Sequence, residues 1–168
     1  MLRDPALIPL SRQHQHALAL CVRIQRGLAP AGSVREATAA EAAAFEAEAA
    51  ELFESEVRYH FASEEELLFP AAAQHAELRP LIDELRREHV TLLAQVQAAA
   101  ERSLGAAALV EFAGLLSAHI RKEERQLFEE LQRLMPADEL RALGEALDTW
   151  FARSGMPGAA CALPRRTS

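Results

Sequence analysis

His60-Phe61-Ala62-Ser63-Glu64-Glu65-Glu66-Leu67-Leu68-Phe69 has a second copy later in the chain, His119-Ile120-x-x-Glu123-Glu124-x-x-Leu127-Phe128. Each copy is preceded by a lone histidine in an Arg-polar-His context, Arg12-Gln13-His14 and Arg87-Glu88-His89, so the order along the chain is H, HxxxE, H, HxxxE. Residues four apart lie on one face of a helix, so each HxxxE offers an imidazole and a carboxylate to one point in space. Four imidazoles and two carboxylates from four helices suit a dinuclear site for a borderline metal such as iron, the carboxylates bridging two ions and the imidazoles capping them. The candidate metal ligands are therefore His14, His60, Glu64, His89, His119 and Glu123.

The surrounding composition agrees with helices. The 168 residues fit one domain with one core, large enough to fold without a disulfide or a metal. Half of them are hydrophobic, with abundant Ala, Leu and Glu, only 7 Gly and 5% aromatics, which favours an all-α fold over sheet. A net charge of −7 repels phosphate backbones, and the basic residues, all Arg except Lys122, are spread among acids, so no nucleic-acid partner is expected. Two cysteines, Cys21 and Cys161, are too few for a disulfide framework, and there is neither a signal-like leader nor an apolar run long enough for a membrane span. No membrane association and a cytoplasmic setting are expected.

Breakers mark the helices. Pro9, Leu10 and Ser11 open a first helix to about Arg26, broken by Gly27 through Gly32 with Pro30. Ser33-x-x-Glu36 and Thr38-x-x-Glu41 are overlapping capping boxes, and the long helix after them stops at Pro70. Pro80 suits the first turn of a third helix reaching about Arg102 and closed by Gly105; a fourth runs from about Ala107 to Leu134. A short fifth helix from Asp138 to about Ala152 carries Leu140, Leu143, Leu147, Trp150 and Phe151 as a docking stripe. The expected architecture is an up-down-up-down four-helix bundle with a short additional C-terminal helix over residues 1–154, and residues 155–168 read as an unstructured tail.

Register and face test the metal idea separately from the motif. In such a bundle the starts of helices 1 and 3 lie beside the ends of helices 2 and 4, which puts the six candidate side chains in one layer. His60 shares its stripe with Phe53, Val57 and Leu68, His119 with Leu115, Leu116 and Leu127, and His89 with Ile82, Leu85, Leu92, Leu93 and Val96. His14 shares its stripe with Ala17, Leu18, Cys21, Ile24 and Leu28, whereas the stripe through His16 runs into Arg23 and Gly27. His14 is thus the inward residue of helix 1, His16 a solvated one, and His75 a loop residue.

Two HxxxE spacings can arise by chance in a Glu-rich chain. The shared context, the alternation with lone inward histidines and the common layer do not arise so readily, and burying these groups without a metal would be costly. Glu65 and Glu124 fall roughly 100° off the ligand face and read as hydrogen-bond partners of ligands or as surface groups. Inward Cys21 reads as packing, since a buried thiol without a basic neighbour is inert.

The early His, HFxxEExxLFP, a third-helix His and HIxxEExxLF together resemble the hemerythrin-like family of HHE cation-binding domains, over about residues 7 to 134. The resemblance implies a four-helix bundle around a non-haem di-iron centre with an oxo or hydroxo bridge. It places His14 and His60 on one iron, His89 and His119 on the other, and Glu64 and Glu123 between them. Members of the family carry or sense oxygen, handle nitric oxide or peroxide, bind iron regulatorily or help repair iron centres.

One departure from the oxygen carriers stands out. They present two histidines one turn apart on helix 3, whereas here Leu85 and Leu93 flank His89. The vacated position falls to water, hydroxide or a carboxylate such as Glu56, one turn before His60. A binding or sensing module without turnover is expected for oxygen, nitric oxide, peroxide or iron. The alternatives are a ferritin-like or peroxide-reducing di-iron enzyme and a domain holding zinc. Ferritin-like sites use Glu-x-x-His, and no histidine here has Glu three places before it.

Overall fold

The computed structural model describes residues 2–28 and 37–156, which form five helices and, among the described residues, no strand. Helix α1 is Ile8–Leu28, α3 is Arg79–Ala100 and α5 is Ala137–Ser154. Helix α2, residues 39–72, is α-helical over Ala39–Leu52, Arg58–Ser63 and Phe69–Ala72, with π-helical stretches Phe53–Val57 and Glu64–Leu68 between them. Helix α4, residues 105–134, has one such stretch, Glu123–Leu127, between Gly105–Lys122 and Phe128–Leu134. No helix among the described residues is long and apolar enough to cross a membrane.

Local chemistry accounts for the helix ends. Thr38 caps α2 as a capping box: its hydroxyl accepts from the Glu41 N–H at 3.2 Å, and the Glu41 carboxylate accepts from the Thr38 N–H at 2.9 Å. The other capping box read from the sequence, Ser33 to Glu36, lies outside the described residues, as does the tail read from 155 except for its first two residues, which are ordered: Gly155 (φ 75°) ends α5 and Met156 packs back on the bundle.

Three boundaries differ from the sequence reading. Gly27 does not break α1 but belongs to its last turn, where the ring of Phe45 in α2 lies 2.7 Å from the position a Cβ would take. Pro70 does not stop α2: the preceding π stretch resets the hydrogen-bond ladder at Phe69, so proline falls at the start of a new α-helical stretch, where its missing N–H is not needed. Gly105 opens α4 and does not close α3. Arg102 (φ 56°), just after the end of α3, and Gly105 (φ 75°) are both left-handed, and the buried carboxylate of Glu46 accepts from the Leu104 and Gly105 N–H groups, both at 2.9 Å.

Apolar side chains fill the two ends of the bundle. At one end Leu7, Leu10, Phe69, Leu85, Phe128 and Leu131 pack with Leu140, Leu143, Leu147 and Phe151 of α5. This docking is close: Gly144 lies against Ala6, whose Cβ sits 2.7 Å from where a Gly144 side chain would begin. Trp150, read as part of the docking stripe, is half-buried and donates its indole N–H to Glu66 at 2.7 Å. At the other end Leu20, Cys21, Ile24, Phe61, Leu92, Phe112 and Leu116 form a second cluster. Leu93 leaves the stripe that the sequence assigned to it and is 42% exposed. The candidate ligands belong to neither cluster. Each full burial of a large apolar side chain contributes roughly 1.5–3 kcal/mol, so the ends hold the helices while polar groups occupy the middle.

Candidate metal centre

All six candidate residues converge. His14 comes from α1, His60 and Glu64 from α2, His89 from α3, and His119 and Glu123 from α4, and all are at most 4% exposed. The Nε2 atoms pair across helices, His14 with His60 at 2.9 Å and His89 with His119 at 3.1 Å. Glu64 spans the pairs, with Oε1 3.2 Å from His60 Nε2 and Oε2 3.4 Å from His89 Nε2. Glu123 spans them in the other sense, Oε1 lying 3.2 Å from His119 Nε2 and Oε2 3.1 Å from His14 Nε2. The donors fall into two groups able to hold an ion, His14, His60, Glu64 and Glu123, and His89, His119, Glu64 and Glu123.

The far side of each imidazole is held as well. Nδ1 of His14 faces Glu124 at 2.7 Å, His89 faces Glu65 at 3.0 Å, His119 faces Glu88 at 2.9 Å and His60 faces the Gln13 amide oxygen at 2.7 Å. These acceptors cannot donate, so each Nδ1 carries a proton and each Nε2 is left to face the centre. Aromatic rings fix the imidazole planes: Phe61 stacks on His89 at 3.9 Å between centroids and Phe128 on His14 at 5.6 Å.

The π stretches serve this geometry. Glu64 and Glu123 are each the first residue of one, and a π turn, closing over five residues, advances less per residue than an α turn. Glu65 and Glu124 therefore swing less far from the ligand face than in an unbroken α-helix, and reach histidines on neighbouring helices.

Electrostatics bear on what the centre can hold. Burial works against ionisation of Glu64, as does the charge of Glu123, yet His60 and His89 hold its carboxyl below the usual range. Burial opposes the charge of Glu123 too, and His119 and His14 hold it well below that range. Burial alone would push the His14 imidazole down, but Glu123 and Glu124 carry it up to about 9; for His119, burial is likewise outweighed by Glu123, again up to about 9. His14 and His119 therefore each hold a second ring proton at neutral pH. Even so, none of the four oxygens of Glu64 and Glu123 meets a well-aligned hydrogen-bond donor, although all are buried. Buried, unsatisfied carboxylates facing converging imidazole nitrogens are a donor set that fits cations, which would displace the two protons.

The remaining candidates lie elsewhere. His16 is exposed and pairs with Glu56 at 2.9 Å, which turns Glu56 to the seam between α1 and α2 and away from the centre. Glu56 lies outside both groups of converging donors. His75 lies in the bend between α2 and α3. Cys21 is fully buried, and burial pushes its thiol up. Sequence reasoning missed Gln13 and Glu88. The signal was present in the Arg-polar-His context: the polar residue before each lone histidine supports the histidine of the following helix.

No curated protein and no solved structure matches the chain. The model of the hemerythrin HHE cation binding domain matches residues 9–131, a span that contains all six converging residues. With that match over most of its length, the chain belongs to the hemerythrin HHE cation-binding family.

Proposed function

We propose that the chain is a non-haem di-iron protein that binds or senses a small ligand such as oxygen, nitric oxide or peroxide, or handles iron, in preference to turning over a substrate. In this reading α1 to α4 run up-down-up-down, His14 and His60 hold one iron, His89 and His119 hold the other, and Glu64 and Glu123 bridge. One observation carries it: each carboxylate places one oxygen against each histidine pair. Bound iron supplies one-electron redox chemistry and open coordination positions.

The protein's own residues limit what reaches those positions. A cavity of about 10 Å³ beside His14, His60 and His119 is walled by Val57, Phe61 and Leu116. It has room for about one water-sized molecule. On α3 the neighbours of His89 one turn away are Leu85, buried and apolar, and Leu93, largely turned outward, so neither adds a ligand. Each half of the centre then offers four protein donors, a number that zinc also accepts.

Exposing the anaerobically reduced, iron-loaded protein to oxygen tests this reading. Ferric absorption is expected within seconds to minutes, with no return of the ferrous state under vacuum. A long-lived oxygenated form that reverses under vacuum would restore the carrier role, and a preparation that takes up zinc and refuses iron would overturn the di-iron reading.

A further inference from the structure

The hydrogen bonds behind the four imidazoles repeat between the two halves of the chain with one break. Glu124, Glu65 and Glu88 are carboxylates, and each is itself held by a cation: Arg3 on Glu124 at 2.5 Å, Arg86 on Glu65 at 3.0 Å, and Lys122 on Glu88. The fourth acceptor, behind His60, is the neutral amide of Gln13, whose NH₂ donates to Met156 Sδ at 3.3 Å. A carboxylate draws the Nδ1 proton toward itself and makes Nε2 the stronger donor, an effect that a neutral amide exerts more weakly. The bridging residues Glu64 and Glu123 are shared by both positions, so they do not cancel this difference.

We infer that Gln13 makes the two metal positions unequal, the His14/His60 position holding its ion more weakly than the His89/His119 position. The inference rests on the dinuclear reading above. It goes further in naming a half-loaded state, with one ion at His89/His119 and the other position exchanging, and in assigning the inequality to one residue that touches neither ion.

Calorimetric titration of the metal-free protein with zinc, which is redox-inert, tests it. The wild-type chain should take two ions in steps at least about tenfold apart in affinity, given the 10- to 100-fold effects of such hydrogen-bond partners. His60→Ala should remove the weaker step and His119→Ala the tighter one. Glu88→Gln should weaken the tighter step and bring the two together, and it leaves Lys122 paired with Glu84. Gln13→Glu should tighten the weaker step; circular dichroism would show whether the added buried carboxylate is tolerated, and Glu88→Gln carries the test without it. If His60→Ala and His119→Ala leave single steps of equal affinity, or Glu88→Gln leaves the spacing unchanged, the inequality is mutual repulsion between the ions and the role of Gln13 is wrong. Uptake of fewer than two zinc ions by the wild type would overturn the dinuclear reading, and this inference with it.

Discussion

Glu124 Oε1 lies 2.7 Å from Nδ1 of His14, so the residue directly after one candidate bridge supports the imidazole of another helix. Glu124→Ala should weaken metal binding about 10- to 100-fold, read by competition with a chelator, because the imidazole loses both its orientation and the polarisation of its donor nitrogen. The fold should survive, since Arg3 keeps its bonds to Gln132 and to the Glu124 carbonyl. Unchanged affinity would show that the contact is structural only.

The six histidines should divide sharply. His60→Ala and His119→Ala remove groups at the centre and should lower the metal bound per chain. His16→Ala and His75→Ala should not, because His16 is exposed and paired with Glu56, and His75 lies in a bend outside the centre. Metal lost from His16→Ala and kept by His14→Ala would reverse the assignment on α1.

The metal-free protein should lose stability as the pH rises through the neutral range. His14 and His119 are raised to about 9 from 6.5, so their contribution is complete below about pH 6.5 and fades as the pH climbs through 9. Glu124 is lowered to about 2 from 4.5, so its contribution is present above 4.5 and fades toward 2. The melting temperature of metal-free protein should therefore be highest between these limits and fall from pH 7 to 9. Metal loading at pH 7 should release about two protons, one each from His14 and His119. A melting temperature that rises from pH 7 to 9 would contradict the raised imidazoles of His14 and His119.

Metal should stabilise the bundle without being required for it, because two apolar clusters pack the ends independently of the centre. A ligand at a hundredfold excess over Kd adds about 2.7 kcal/mol to the native state. Chelated protein should stay helical and melt cooperatively at a lower temperature, and a random-coil circular dichroism spectrum would show that the clusters do not suffice.

The legible part of the sequence was whatever a regular 3.6-residue period can express. His14 was separable from His16 because two residues turn a helix through about 200°, and HxxxE placed each His and Glu on one face. What departs from that period was hidden. The π stretches that bring Glu65 and Glu124 onto His89 and His14 have no local signature, and the same irregularity let Pro70 continue α2. Partners across helices were equally hidden: Phe45 on Gly27, Glu46 capping α4, and Glu56 drawn to His16 depend on where a second helix lies. Gln13 and Glu88 were visible as a repeated polar residue before histidine, but only packing shows which imidazole each one meets.

The most direct test of the proposed dinuclear centre is iron analysis combined with Mössbauer spectroscopy on protein loaded with iron without oxygen and then oxidised. Two irons per chain in one antiferromagnetically coupled pair are expected, since Glu64 and Glu123 each reach both histidine pairs. A single uncoupled iron, or none, would contradict it.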